Sequence, residues 1–212
     1  MRVMKLLLVA ALVGLPLAFG MPVELIENGE FEPPPTGYWV GDQSAVAGWT
    51  TNYCAWGACW MEIFPEGFAD SPAIGADGLP TGQHCEITVD NDWEVVSQVV
   101  TVPPECVFAD FSFEMWPRGG SGVKYWLTGT GSGTILSDSV TGPGDAWTPH
   151  SATGLPIIPG EDITLSFQSI GGGGAGAHID SVSLLAYTPE PSTLGLSILG
   201  LLALARRRRH KN

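Results

Sequence analysis

The chain has 212 residues, 44% hydrophobic and 15% charged, with 28 glycines, 17 prolines and four cysteines. Its formal net charge is −13, and the imbalance is concentrated: residues 21–188 hold two basic residues, Arg118 and Lys124, against 21 acidic ones, a charge of −19. Such a body repels phosphate backbones, which excludes nucleic acid as a partner, and the length suits one domain plus targeting segments.

The first 20 residues read as a secretory signal peptide. Arg2 and Lys5 form a positive start, 6–19 is almost wholly apolar, and Ala18 and Gly20 place small residues three and one before a cut after Gly20. The apolar run is short for a membrane helix.

From 21 to 188 helical periodicity is nearly absent. Glycine and proline punctuate the chain (PPPTG, PEG, LPTG, VPPE, PRGGSG, TGPG, LPIIPG, GGGG), and short runs rich in Val, Ile, Thr, Trp and Phe lie between. HCEITV, VVSQVVTV, VFADFSFEMW, VKYWLTG, DITLSFQS and HIDSVSLL read as strands. VFADFSFEMW sets Phe111, Phe113 and Met115 on one face and Asp110, Ser112 and Glu114 on the other; DITLSFQS does the same with Ile163, Leu165 and Phe167. About eight to ten short strands at this spacing predict an all-β fold, an antiparallel β-sandwich whose sheets each bury one face. No internal repeat and no second domain is visible.

In an exported chain, Cys54, Cys59, Cys85 and Cys106 read as disulfides, with three possible connectivities. Cys54–Cys59, closing a short loop, and Cys85–Cys106, joining consecutive strand regions, are the favoured pairs. A four-cysteine zinc site lacks its paired CxxC knuckles.

Catalytic patterns are few. G-x-S-x-G and H-E-x-x-H are missing, and Gly171, Gly173 and Gly176 match G-x-G-x-x-G between two β-runs with no helix to hold a phosphate. His84, His150 and His178 are scattered. DNDWE at 90–94 lacks the glycine and downstream glutamate of a calcium loop and reads as a solvated turn. In AHIDSVSLLA the period of two puts Asp180 on the face of Val182 and Leu184. If that face is the core, Asp180 needs a cation or donors, and Glu30 or Glu32 could share a calcium ion with it. In the other register it is simply exposed. Of eight tryptophans, Trp116 and Trp126 lie in strands and are expected in the core. Trp56, inside the Cys54–Cys59 loop, is the best exposed candidate for stacking on a sugar, with Trp60 beside it.

The tail resembles the PEP-CTERM sorting signal of exporting Gram-negative bacteria. Pro189, Glu190 and Pro191, the apolar run 194–205, and Arg206, Arg207, Arg208 and Arg209 stand in the order of that signal. The resemblance implies export, transient retention in the inner membrane by a hydrophobic helix, and cleavage near Pro-Glu-Pro by an exosortase-type enzyme. The short span and the arginine block suit a removable anchor with its basic end inside.

The body resembles galactose-binding-like jelly-roll domains, which include several carbohydrate-binding modules. Asn28, Gly29, Phe31 and Glu32 match an opening N-G-x-F-E. Ala47-Gly48-Trp49 is similar to a following P-G-W, SQVVTVP at 97–103 to S-Q-x-V-x-V-P, and Ile179, Asp180, Val182 and Leu184 to I-D-D-V-x-L, with Ser181 for the second Asp. The resemblance implies a structural calcium between the first and last strands, held by Glu32 and Asp180 with backbone oxygens.

The expected organisation is a signal peptide at 1–20, a β-sandwich domain at 21–188 and a sorting and anchor segment at 189–212. The expected function is that of an exported cell-surface or matrix protein whose jelly roll binds extracellular polysaccharide without cleaving it. A structural biofilm or coat component with no discrete glycan ligand is the alternative, and a glycan hydrolase a third.

Overall fold

The computed structural model describes residues 21–32, 39–55, 58–65, 72, 75–76, 82–87, 94–142, 144, 146–171 and 176–188. The signal peptide, Trp56, most of DNDWE and the tail from Pro189 lie outside the described residues. Thirteen strands run through those described: β1 (Val23–Glu24), β2 (Trp39–Asp42), β3 (Thr50–Thr51), β4 (Cys54–Ala55), β5 (Ala58–Phe64), β6 (His84–Ile87), β7 (Val96–Thr101), β8 (Phe108–Pro117), β9 (Gly122–Gly129), β10 (Gly133–Thr141), β11 (Thr148–Pro156), β12 (Asp162–Ile170) and β13 (Ala177–Tyr187). Among the described residues no helix is long and apolar enough to cross a membrane.

Two antiparallel sheets form. One has the order β11-β8-β13-β6-β5-β2, with β1 added on β13 and β4 on β5; the other has the order β10-β9-β12-β7-β3. From β6 onward each successive strand crosses to the opposite sheet, except for the β9–β10 hairpin. The result is β6-β13-β8-β11 facing β7-β12-β9-β10, the strand order of a jelly roll. The expected sandwich is therefore present.

The core follows from the alternation. Phe111, Phe113 and Met115 of β8 face Ile163, Leu165 and Phe167 of β12, all essentially inaccessible to water. Phe113 packs edge-on against Tyr125 and Phe167, with ring centroids 4.9 and 5.1 Å away. Two long strands, β10 and β11, escape the pattern read from sequence. Each is the outer edge of its sheet and half-wet on both faces, so GTILSDSVT and TPHSATGLP need no strict alternation. β11 also carries Pro149 and Pro156, which an edge strand tolerates.

Cys54 and Cys59 are bonded and face each other across the β4–β5 hairpin. The second expected disulfide is not formed: Cys85 and Cys106 are both free and buried. Cys85 lies opposite Ile179 on β13, whereas Cys106 precedes Val107, whose N–H bonds the carbonyl of Tyr187. Ile179 and Tyr187 are eight residues apart on one strand, a distance of about 25 Å. A disulfide needs Cα atoms within about 7 Å. Burial pushes the Cys85 thiol well above its usual range, and Glu94, Glu62, Glu86 and Asp180 act in the same direction.

One buried carboxylate ties two turns together at the end of the second sheet. Glu161 accepts hydrogen bonds from the backbone of Ile158, Gly131 and Ser132 and from the Ser132 hydroxyl, all at 2.9–3.0 Å. Burial works to raise its pKa, but these donors outweigh it and hold the group below its usual range. Glu161→Ala leaves those donors without their acceptor and is expected to cost about 3 kcal/mol in chemical unfolding at neutral pH. Because the folded pKa is depressed, the wild-type advantage is present above the ordinary carboxylate range and fades as pH falls through it.

Candidate functional site

The four sequence stretches that carry the jelly-roll resemblance converge on one seam. The segment 24–31 lies against β13: Leu25 N–H bonds Leu184 O at 3.0 Å, and Val182 N–H bonds Gly29 O at 3.1 Å. Glu24 accepts from the N–H groups of Ile26 and Leu184 at 2.9 Å and from the Ser183 hydroxyl. Gly29 is required by close approach, since a Cβ there would sit 1.9 Å from Val182 O. Trp49 donates its indole N–H to Asn28 O at 2.9 Å and packs on Phe31, ring centroids 5.0 Å apart. Gln98 of β7 reaches across as a surrogate strand: its Oε1 accepts from Glu27 N–H at 2.7 Å and its Nε2 donates to Glu27 O at 2.9 Å. Gly48, at φ +79°, passes the Gln98 amide too closely for a side chain.

Asp180 sits at this seam and is buried, 1% exposed. β13 bulges between Asp180 and Ser183, with Ser181 at φ +49°, and the Ser181 N–H donates to Asp180 Oδ1 at 2.8 Å. Strand register sets Asp180 opposite Glu114 of β8. Burial pushes the Asp180 carboxyl up to about 8; the Ser181 N–H draws it back, while Glu30, Glu114 and Glu32 push it further up. Glu32 is exposed and accepts from Gln83 N–H at 3.1 Å. Neither basic residue of the body serves Asp180: Arg118 pairs with Glu86 at 3.4 Å, and Lys124 lies over Trp126 on the other sheet. The carboxylates around Asp180, those of Glu30, Glu32 and Glu114, offer oxygens, the kind a hard divalent cation takes, and such a cation would replace the proton that burial holds on Asp180 near neutral pH. In chemistry, then, the residues fit calcium. Among the described residues, no three His, Cys, Asp or Glu side chains already stand together as a metal site.

The same face of the first sheet carries a second buried layer outside the main core. Its outward positions include Phe64, His84, Glu86, Trp116 and His178. Two described residues of the β5–β6 connection bond beside them: Ala76 N–H donates to Glu114 Oε2 at 2.9 Å, and Trp147 donates its indole N–H to Pro72 O at 2.9 Å. His84 and His178 are fully buried, with ring centroids 4.9 Å apart; among the described residues none of their four nitrogens has a hydrogen bond, and His178 Nε2 lies 3.8 Å from Glu86 Oε2. Burial lowers His84 to about 4; burial, then His84 and Arg118, lower His178 well below the ordinary histidine range. Both rings are therefore neutral at pH 7. The pair went unseen in the sequence because 94 residues separate its members, although each precedes a core-facing residue, Cys85 or Ile179.

The outer face of the second sheet is exposed at Val99, Lys124, Thr134 and Ser137, half-buried at Thr164, Trp126 and Thr128, and closed at Ser166, which is buried. Outward positions of β7, β12, β9 and β10 align in rows across the sheet: Val99, Thr164, Thr128 and Thr134, then Ser97, Ser166, Trp126 and Ser137. Trp126, expected in the core, instead stands half-exposed on this face, because its neighbours Tyr125 and Leu127 take the inward positions of β9. Lys124 lies beside it, its ammonium 5.5 Å from the ring centroid. Trp116 is buried as expected. Trp60 is half-buried on β5, opposite Asp42 of β2.

Comparison with known proteins divides the chain in two. Residues 188–209 match the PEP-CTERM protein-sorting motif, which indicates export with C-terminal sorting, as for a surface protein. No curated protein matches the chain. Among solved structures, the body is similar to an arabinose-bound α-L-arabinofuranosidase, MgGH51 (13% identity, TM-score 0.48), covering 79% of this chain but only 27% of that one. It is also similar to TmCBM61 in complex with β-1,4-galactotriose (16% identity, 76% and 97% covered, TM-score 0.40) and to a CBM4 module (16% identity, 76% and 99% covered, TM-score 0.44).

The Asp180 carboxyl gives a pH test. Its folded pKa of about 8 lies above the ordinary 3.8, so its contribution to stability is present below that ordinary value and is lost as pH rises toward 8. Unfolding measured in chelator should show Asp180→Asn and wild type converging near the acidic end, with the variant gaining steadily as pH rises.

Proposed function

We propose that the chain is an exported cell-surface or matrix protein whose jelly roll binds extracellular polysaccharide without cleaving it. The observation that carries this reading is Trp126, a half-exposed indole on an open face of hydroxyl-bearing side chains. An indole stacks on the apolar face of a sugar ring, and surrounding hydroxyls satisfy its edges. Lys124 is exposed, so a ligand displaces it from the ring at a cost of about 0.5–1 kcal/mol. Trp56, inside the loop closed by the Cys54–Cys59 bond, and Trp60, the residue after it, are a second proposed contact. Trp126→Ala should weaken retention of the full chain by its polysaccharide about tenfold, the equivalent of about 1.4 kcal/mol, with an unchanged melting temperature. If no polysaccharide is held saturably by wild type, the structural coat reading takes its place. Release of reducing sugar is expected to be nil.

In the same proposal Glu32 and Asp180, with backbone oxygens of the seam, hold a structural calcium ion, which takes the place of the Asp180 proton and pins the first segment to the last strand. What supports it is the burial of Asp180 among Glu30, Glu114 and Glu32 with no basic side chain to serve it. The melting temperature should fall on chelation in wild type and not in Asp180→Ala. Equal melting with and without chelator in wild type removes the calcium.

The tail is proposed to act before the body does. The run before Arg206, Arg207, Arg208 and Arg209 holds the exported chain briefly in the inner membrane, and an exosortase-type enzyme cleaves near Pro189, Glu190 and Pro191.

A further inference from the structure

We infer that the outer face of the β10-β9-β12-β7-β3 sheet takes the flat, packed surface of an uncharged, insoluble polysaccharide rather than single dissolved chains. This rests on the polysaccharide reading above and narrows its ligand.

Shape is the first ground. A dissolved ligand is held by enclosure, with most of its surface buried and several contacts converging on it. This face offers the opposite. Its outward side chains are mostly Ser and Thr, with Lys124, Trp126 and Gln168 rising among them; Val99 is 62% exposed and Ser166 is buried, and no wall encloses a ligand on this face among the described residues. Among the described residues Trp126 is the one aromatic ring on it, and a single indole covers a single sugar. Many weak contacts spread over a plane suit a ligand that is itself a plane.

Repeat is the second ground. Thr164, Thr128 and Thr134 set three hydroxyls in one row about 4.8 Å apart across the strands, while in the next row Ser137 is exposed and Ser166 is buried beside Trp126. Such a row bonds an ordered line of hydroxyls, directly or through bridging water, better than a chain free to bend.

Charge is the third. The body carries −19, yet the outward positions of this face hold one cation and one anion, Lys124 and Asp162, and Asp162 already accepts from the Thr101 hydroxyl at 2.7 Å. A polyanion is repelled by the body as a whole, and a polycation is drawn to the acidic surfaces elsewhere. The face that remains near neutral matches a neutral lattice.

The test uses the full chain. Depletion onto microcrystalline cellulose, crystalline chitin and insoluble β-1,3-glucan particles is compared with calorimetry on soluble oligosaccharides of the same units, at low and high salt. Retention on at least one solid is expected to be indifferent to salt and at least about a hundredfold tighter than for its oligosaccharide, a gap of about 2.8 kcal/mol. Thr164→Arg, which raises a long side chain from the middle of the plane, should lower retention about tenfold with the melting temperature unchanged. Oligosaccharides binding as tightly as the solid, release by salt, or full retention by Thr164→Arg overturns the planar ligand while leaving polysaccharide binding in place. No retention by any polysaccharide, solid or dissolved, overturns the polysaccharide reading and this inference with it.

Discussion

The sandwich depends on the seam between its first segment and its last strand. β13 is central to the first sheet, between β8 and β6, and the segment 24–31 docks on it where it bulges. That contact is made by backbone hydrogen bonds, a glutamate acting as a three-way acceptor, and a glutamine amide standing in for a strand. Each requires close approach, so glycine is needed at Gly29 and Gly48. The bulge that makes room for the segment also turns Asp180 into a buried site. Burial and its carboxylate neighbours Glu30, Glu114 and Glu32 hold that carboxyl well above its ordinary range.

The two sheets use their outer faces differently, and the difference follows from their connections. Pro72 and Ala76, described residues of the β5–β6 connection, bond to Trp147 and Glu114 on the first sheet, whose outer face holds buried aromatic rings and two neutral imidazoles. Imidazoles without a hydrogen bond among the described residues cost free energy in such a place, offset in part by packing against Phe64, Trp116 and Trp147. In the second sheet the short β9–β10 turn is clamped by Glu161, and the outer face is exposed at Val99, Lys124 and Thr134. An open face with an indole on it can meet something large; a covered one cannot.

Legibility in the sequence tracked locality. Strands with one dry and one wet face announced themselves: the alternation of β8 and β12 places Phe111, Phe113, Ile163, Leu165 and Phe167 inside, as read. The Cys54–Cys59 bond, spanning a tight hairpin, was legible for the same reason. Edge strands were not, because a strand with one neighbour is wet on more than one side and keeps no strict pattern. The Cys85–Cys106 pair looked plausible along the chain, yet the crossing of β7 and β8 between sheets sets the two thiols at opposite ends of β13. Trp126 looked like core because large apolar residues usually are. Only the inward seating of Tyr125 and Leu127 turns it out.

By itself the sequence determined the class of fold, the export and sorting of the chain, and which short motifs matter at the seam, because these are written in local periodicity, composition and contiguous motifs. The tertiary structure alone decided that Asp180 is buried among other carboxylates, that His84 and His178 meet, and that Trp126 faces outward on a nearly neutral plane. Those facts depend on which strands become neighbours and which face a connection happens to cover. Nothing in the spacing of residues along the chain fixes either one. They are set when backbone hydrogen bonds and core packing settle the register of strands that lie far apart in sequence.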